Sequence, residues 1–419
     1  MLKNWIFSER GAPILLIAFA VLVRGLAVYV LNIEPDADNS SYMHMATSLV
    51  ETGHMVDDMK NIAYYSVGWP LFLSPFFAVF GATPEVGQAV NVILGMGSVL
   101  LVYYCAKEVL PSWKNALFAA FLWASYTPAI LFTEFIAKEN LMIPLLLLQV
   151  LLLLKFSTTN HKIVVAALLG SIFALELPVG PAVILTLVTL LIVILGVKRK
   201  KNDWAKLNWR PAFFSLLFCI ITIAPWLSYT AHELGEPVLN TSGSFNVYLG
   251  NNRNSGVEYI GIQDTPIADD WHAIRREKGE LGSSKILREK AIDYIVANPG
   301  RTVWLSIKKV AYFWMPPIHE RESGDHPFFE SVAELGWLIY YCLIIILALV
   351  PLVVGRKIDR SLFILYGTVI LYCAIHALTY VIFRYRLPIM PIMCILASQG
   401  LNQLYLIWCD RDKITDATN

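Results

Sequence analysis

Ten runs of roughly twenty apolar residues recur along this 419-residue chain, and that recurrence limits it to folds that live in a bilayer. A span needs about 20 such residues to cross the hydrocarbon core as a helix. The runs are 12–33, 86–107, 115–132, 139–156, 163–177, 179–197, 211–230, 334–355, 361–381 and 387–408. The fifth and sixth meet at Leu177-Pro178, which reads as a tight helical hairpin. Hydrophobic residues make up 57% of the chain and charged residues 16%, against about 25% in a soluble domain. The expected class is therefore an all-α polytopic membrane protein with about ten transmembrane helices.

Other classes fall away on the same grounds. A net charge of +1 gives no basic surface for nucleic acid. Cys105, Cys219, Cys342, Cys373, Cys394 and Cys409 lie in or beside apolar runs without a zinc spacing, so they read as reduced core residues. No P-loop, GxGxxG, HExxH or GxSxG is present. No small-residue cleavage site follows the first run, which reads as a retained helix.

Basic residues in the connections orient the spans. With a cytoplasmic N-terminus, the loop holding Lys198, Arg199, Lys200, Lys201, Lys206 and Arg210 is cytoplasmic. So are the turns with Lys107 and Lys114, Lys155 and Lys162, and Arg356, Lys357 and Arg360. The opposite face receives IEPDADNSSYMHMATSLVETG (33–53), TEFIAKEN (133–140), the Leu177-Pro178 tip, residues 231–333 and FRYRLP (383–388). The division is an N-terminal transmembrane module over 1–230 with interfacial helices in 34–81, a non-cytoplasmic cap over 231–333, and transmembrane helices with a short cytoplasmic tail over 334–419.

Within that face, Tyr42, Met45, Ala46, Leu49 and Val50 form one apolar helical stripe, ending at Gly53. Such a helix lies in the interface and leaves Asp38 at its start. Either Asp38, Asn39 or Ser40 caps the helix, or Asp38 serves as a base; position alone allows both. Asp36-Ala37-Asp38 is a DxD, the type of pair that holds a divalent metal, although no metal or other cofactor is expected here. The run Ser66–Phe80 is short and carries Pro70 and Pro75, as a re-entrant or interfacial segment would. Arg384 and Arg386 run against the charge bias, and their planar forks suit a phosphate; the competing reading pairs them with Glu134, Glu139 or anionic headgroups. Lys138 is a similar candidate, and Glu139-Asn140 opens the fourth span. Arg24 reads as an ion-paired or snorkelling residue and His376 as a satisfied core histidine.

The cap begins HELGEPVLNTSGSFNVYLGNNRNSG, where Gly and Asn suggest turns and short strands. A polar helix near Ser283–Asn298 follows, with Leu287, Ala291, Tyr294 and Ile295 as its stripe. An amphipathic helix, Arg301–Trp314, then puts Val303, Trp304, Ile307, Val310 and Trp314 on one side. Its Lys308 and Lys309 are placed to snorkel towards headgroups.

The ordered set DNSSYMHMATSLVETG, YYSVGWPLFLSPFFAVFG, AKENLMIPLLLL, GEPVLNTSGSFNVYLGNN, ANPGRTVWLSIKKVAYFW and FRYRLPIMPIMCILAS resembles the GT-C glycosyltransferases. The resemblance is closest to the bacterial branch near the protein O-mannosyltransferases and lipid A aminoarabinose transferases. It implies a GT-C fold in a bacterial inner membrane, with the active site on the extracytoplasmic face. It also implies a polyprenyl-phosphate-linked sugar donor and a lipid, glycan or protein acceptor. By the same resemblance Asp38, four residues before the aromatic Tyr42, is the catalytic base. Tyr42, Glu139, Arg384 and Arg386 match its pattern as substrate-binding residues; Asp36, off that pattern, and Lys138 are further substrate-binding candidates. Many relatives carry Arg-Pro at the fifth-to-sixth tip, where this chain reads Leu177-Pro178. A transporter or flippase of a lipid-linked sugar is the rival reading; it would show paired half-chain repeats, and no repeat is evident.

Overall fold

The computed structural model describes residues 8–31, 33–156, 158–180, 209–316, 328–354 and 358–416. Among them there are helices and turns and no strand. Six helices are long and apolar enough to cross a membrane, and a seventh span is broken. Most of the sixth expected run, and the basic residues 198–201 and 206, lie outside the described residues.

The first span is α1, Gly11–Leu31. It is followed by α2, Ala37–Thr52, whose C-terminal Gly53 takes φ +75° and donates to Leu49 O. That left-handed stop is the one expected of a glycine at this position. The buried face of α2 is Asn39, Ser41, Tyr42, Met45, Ala46 and Ser48. The anticipated stripe is therefore rotated: Val50 is exposed, and three polar residues take its side inward. Polar groups at the start of α2 are buried because they border a pocket and not lipid.

Two elements prepare the bundle. The short helix α3, Gly68–Phe80, carries Pro75 inside and is too short to span. The long α4, Pro84–Val109, crosses and packs under it. The third expected span does not run straight: α5, Trp113–Ala124, is followed by α6, Thr127–Leu131, and a 3-10 turn, Phe132–Glu134, at a 58° bend. Pro128 accounts for the bend. It sits in the first turn of α6, where it starts a new helix but supplies no N–H to the Ala124 carbonyl that ends α5.

The fourth expected run forms the span α7, Glu139–Phe156, and the fifth forms α8, Lys162–Glu176, which at 15 residues is shorter than the spans. Pro178 O at the tip accepts from Gly68 N at 3.0 Å. Gly68 lacks a Cβ where one would lie 2.6 Å from Val179 Cγ2, so the tip seats on the start of α3. The span α9, Arg210–Leu234, lies against α8 with Gly170 touching the Ser215 carbonyl.

The cap segment is helical where turns and strands were expected. Its first helix is α10, Ser242–Gly250. Tyr248 and Leu249 are buried there with Ile267, Trp271, Leu287, Ala291 and Tyr380, so apolar burial outweighs the Gly/Asn-rich composition. Next comes α11, Ala268–Ala297, broken at Gly279, where φ is +65° and ψ −168°. Leu287 and Ala291 of the expected stripe are buried. Then α12, Pro299–Trp314, exposes Val303, Trp304, Ile307 and Val310. Of its two lysines, Lys308 lies 5.2 Å over Trp304, whereas Lys309 is buried and donates to Gly250 O at 2.8 Å. Lys309 does not snorkel; it ties α12 to the end of α10.

The last helices are α13, Phe328–Val354, the apolar α14, Arg360–His376, which is shorter than the spans, and α15, Met390–Asp416, preceded by a 3-10 turn at Phe383–Ile389. Gly400 lets α15 close on the Leu347 carbonyl of α13. Arg24 neither snorkels nor forms an ion pair. It is buried across Gly95 and donates to Ala124 O at 3.4 Å. His376 is a core residue, its Nδ1 3.0 Å from Tyr372 O. Cys105, Cys373 and Cys394 are buried, and all six cysteines are free thiols.

Candidate active site

At one end of the bundle the start of α2, the loop before α3, the turn before α7, α10 and the 383–389 turn enclose a pocket of about 630 Å³. Asp36, Asp38 and Tyr42 reach it from α2 or its cap, Lys138 from the turn before α7, and Arg384 from the 3-10 turn. The walls are aromatic: Tyr64, Tyr65, Phe132, Phe135, Phe245, Tyr259, Tyr380 and Tyr385, with Ser66, Ser242 and Asn246 as polar points.

Asp38 does not cap the helix. That backbone position belongs to Asp36, whose carboxylate makes no capping bond and accepts from Asn39 Nδ2 at 3.3 Å. Between them Ala37 takes φ +41°. A non-glycine residue there costs roughly 1 kcal/mol or more, and such strain gathers at functional sites. Asp38, in the first turn, is free to face the pocket, where its Oδ2 accepts from Arg384 at 2.5 Å. Arg384 Nε lies 3.7 Å from the Glu139 carboxylate, which is buried. The guanidinium thus spans two carboxylates supplied by α2 and α7.

Lys138 Nζ donates to Ser66 Oγ at 3.1 Å. Burial lowers its pKa, with the charge of Arg384 adding to that effect and Glu139 and Asp38 opposing it. Tyr42 is buried, and its ring meets Tyr65 edge-on at 5.6 Å. Burial, then the carboxylates of Asp38 and Glu139, push its pKa well above the ordinary value, so it stays a neutral hydroxyl. The site end therefore brings the carboxylates of Asp36, Asp38 and Glu139 together with the cations Lys138 and Arg384 and the Tyr42 phenol.

Arg386 is separated from this group. Its Nη1 donates to Met315 O at 2.7 Å, Phe313 O at 3.2 Å and Tyr341 Oη at 3.1 Å. Its guanidinium also lies 4.6 Å over the Tyr341 ring and 5.0 Å over Phe383. Together with Arg384 it lines a second, more apolar cavity of about 380 Å³, walled by Tyr126, Pro128, Leu131, Phe132, Trp337 and Leu387. That cavity exists because the third span bends at Pro128. Glu134 meets neither arginine: it accepts from Ile33 N at 2.6 Å and Gln88 Nε2 at 3.0 Å. Leu177 and Pro178 line neither cavity. Among the described residues no three His, Cys, Asp or Glu side chains gather in a metal-binding group.

The aromatic walls were not singled out from sequence, although YYSVGWP and GSFNVYLGNN contain five of their members: Tyr64, Tyr65, Ser66, Phe245 and Asn246. The one available signal was density of aromatics in segments otherwise polar. Periodicity does not reveal it, because the walls come from loops and from one short helix.

Residues 66–229 match the model of the family described as dolichyl-phosphate-mannose-protein mannosyltransferase. The oligosaccharyltransferase AglB of Archaeoglobus fulgidus, solved in complex with an inhibitory peptide and a dolichol-phosphate, shares the fold. It is 12% identical with a TM-score of 0.52, over 99% of this chain and 52% of that one, so the present chain spans about half its length. ArnT from Cupriavidus metallidurans, solved bound to undecaprenyl phosphate, is 12% identical with a TM-score of 0.47, over 94% and 78%. No curated protein matches the chain in sequence.

Proposed function

The match over residues 66–229 and the shared fold support membership of the GT-C, mannosyltransferase-like family, and from that premise we propose an inverting glycosyltransferase. Its donor is a sugar on a polyprenyl phosphate, and its acceptor is a hydroxyl of a lipid, glycan or protein. The distribution of Lys and Arg in the connections supports a reaction on the non-cytoplasmic face, and the resemblance implies that the membrane is a bacterial inner one. Residues 231–333 serve as the cap over the acceptor.

The observation that carries this reading is Arg384. It lines both the polar pocket and the apolar cavity, and it meets Asp38 at 2.5 Å. A lipid-linked sugar has an apolar chain, a phosphate and a sugar in that order, and the two cavities on either side of Arg384 follow the same order. In the proposed reaction the acceptor oxygen attacks the anomeric carbon as the bond from that carbon to the phosphate oxygen breaks. The acceptor proton passes to Asp38 as general base, and the lipid phosphate leaves with its charge held by Arg384 and Lys138. One displacement with one base inverts the anomeric centre. Glu139 keeps Arg384 in place, and neutral Tyr42 donates to an oxygen of the substrate. Asp36, exposed at the pocket rim, meets the acceptor side.

The test is a transfer assay in proteoliposomes with radiolabelled polyprenyl-phosphate sugars and a total membrane extract as acceptor. Wild type should transfer label from one donor, and Asp38→Asn should lower the rate about a thousandfold, within the range for loss of a general base. Equal transfer by both proteins removes Asp38 as base. Label that only crosses the bilayer, equally with either protein, replaces the enzyme with a flippase.

A further inference from the structure

Three segments distant in sequence meet at one carboxylate outside the reaction centre. Glu280 Oε2 accepts from Ile62 N at 2.8 Å, and Oε1 accepts from Ala63 N at 2.9 Å and from the Thr241 hydroxyl at 2.8 Å. Thr241 N donates to Ala63 O at 2.8 Å, and Ser284 Oγ donates to Thr241 O at 2.9 Å. Beside them Arg275 donates to Asn61 Oδ1 at 2.5 Å and lies 5.6 Å over the Tyr64 ring. Asn61 is itself fixed by Asp57, to which its N and Nδ2 each donate at 2.7 Å.

The local cause is the break at Gly279. Its positive φ suits glycine and sets Glu280 at the beginning of the second half of α11, turned towards the loop before α3. The residues Glu280 ties down are followed at once by pocket wall. Tyr64, Tyr65 and Ser66 come after Ala63; Ser242, Phe245 and Asn246 come after Thr241. The two walls touch, with Tyr64 and Phe245 rings 5.7 Å apart. Three donors converge here, and only a group with two acceptor oxygens satisfies them all.

We propose that Glu280 is a positioning residue that fixes the Tyr64–Ser66 wall against the Ser242–Asn246 wall and so shapes the acceptor side of the pocket. The assignment to the acceptor rests on the glycosyltransferase reading above. It does not touch substrate; it acts through the two walls. Glu280→Gln is the informative variant because it keeps size while replacing one acceptor oxygen by an NH₂ that faces N–H donors. Thr241→Val removes a single bond and provides a graded second variant.

The experiment uses the full-length protein in detergent and proteoliposomes, with undecaprenyl phosphate as donor-site probe and total membrane extract as acceptor. For Glu280→Gln the half-saturating concentration of extract should rise about tenfold, while affinity for undecaprenyl phosphate stays within about twofold. Amide exchange at Ile62 and Ala63 should quicken by about tenfold or more, with Thr241→Val intermediate. An unchanged half-saturating concentration overturns the proposal. So does a parallel loss of acceptor saturation, undecaprenyl phosphate affinity and unfolding temperature, because that pattern is ordinary destabilisation. If wild-type protein transfers no sugar, the glycosyltransferase reading fails by itself. Amide exchange in both walls then still decides whether Glu280 holds them, and unchanged exchange overturns that too.

Discussion

Arg384 and Arg386 stand two residues apart on one 3-10 turn, but they belong to different regions of the molecule. Arg384 looks into the polar pocket, where its partners are the carboxylates of Asp38 and Glu139. Arg386 is held by the carbonyls at the end of α12, by the Tyr341 hydroxyl and by two ring faces. The first is arranged among groups that a substrate phosphate can compete for. The second spends its Nη1 on two backbone carbonyls and the Tyr341 hydroxyl, and its guanidinium borders the apolar cavity. Identical side chains thus differ in role through their partners, and the difference is that between a replaceable ion pair and a structural tie.

The largest expected effect is on the pocket side. Arg384→Met should lower transfer per folded molecule by a hundredfold or more, roughly the effect of removing one group that stabilises developing negative charge. Arg384→Lys should restore part of it, because a point charge replaces the fork. Steady-state rates beside unfolding temperatures check this; wild-type activity in Arg384→Met would erase the distinction. On the other side, Arg386→Met should cost about 2 kcal/mol of stability by leaving two buried carbonyls without a donor. Its transfer rate per folded molecule should stay within about tenfold of wild type by the same measure. A large loss of rate with unchanged stability would move Arg386 into the reaction centre.

The smallest effect concerns Lys309, which joins α12 to the end of α10. Burial lowers its pKa from the usual 10.5 to about 8. Between pH 8 and 10.5 the unfolded chain holds a proton on this residue that the folded chain has released, so folding gains stability as pH rises through that window and loses it as pH falls towards 8. Lys309→Met has no such proton. Unfolding temperatures of the two proteins at pH 8 and pH 10 should therefore diverge in favour of wild type at the higher pH. A constant difference would show that Lys309 titrates alike in both states.

Much of the bundle was legible because it depends on local properties. Among the described residues most of the apolar runs are helices near the predicted bounds, as with Glu139–Phe156. Gly53 ended α2 as its chemistry requires. The 58° bend in the third span was not read from the run 115–132, although Pro128 lies within it. Less was legible in the cap. Ser242–Gly250 is helical against its composition because Tyr248 and Leu249 find a buried cluster with Trp271 and Tyr380, contacts that no window of neighbouring residues contains. Lys309 likewise looked suited to a headgroup and became an interior tie.

The candidate site divides the same way. Sequence by itself determined that charged groups must gather where the apolar runs stop, since ionisable side chains are costly within hydrocarbon and the ends of spans are where water returns. It determined helix lengths, the α2 stop and the candidates Asp38, Glu139 and Arg384. Only the tertiary structure decided that Arg384 reaches Asp38 across 346 residues of chain while Arg386 turns away. It alone brought the walls of Tyr64 and Phe245 together and placed the Glu280 carboxylate on Ala63 and Thr241 beside them. Spacing and hydropathy act through the backbone over a few turns of helix; which partner a long side chain finds is settled by how those helices pack.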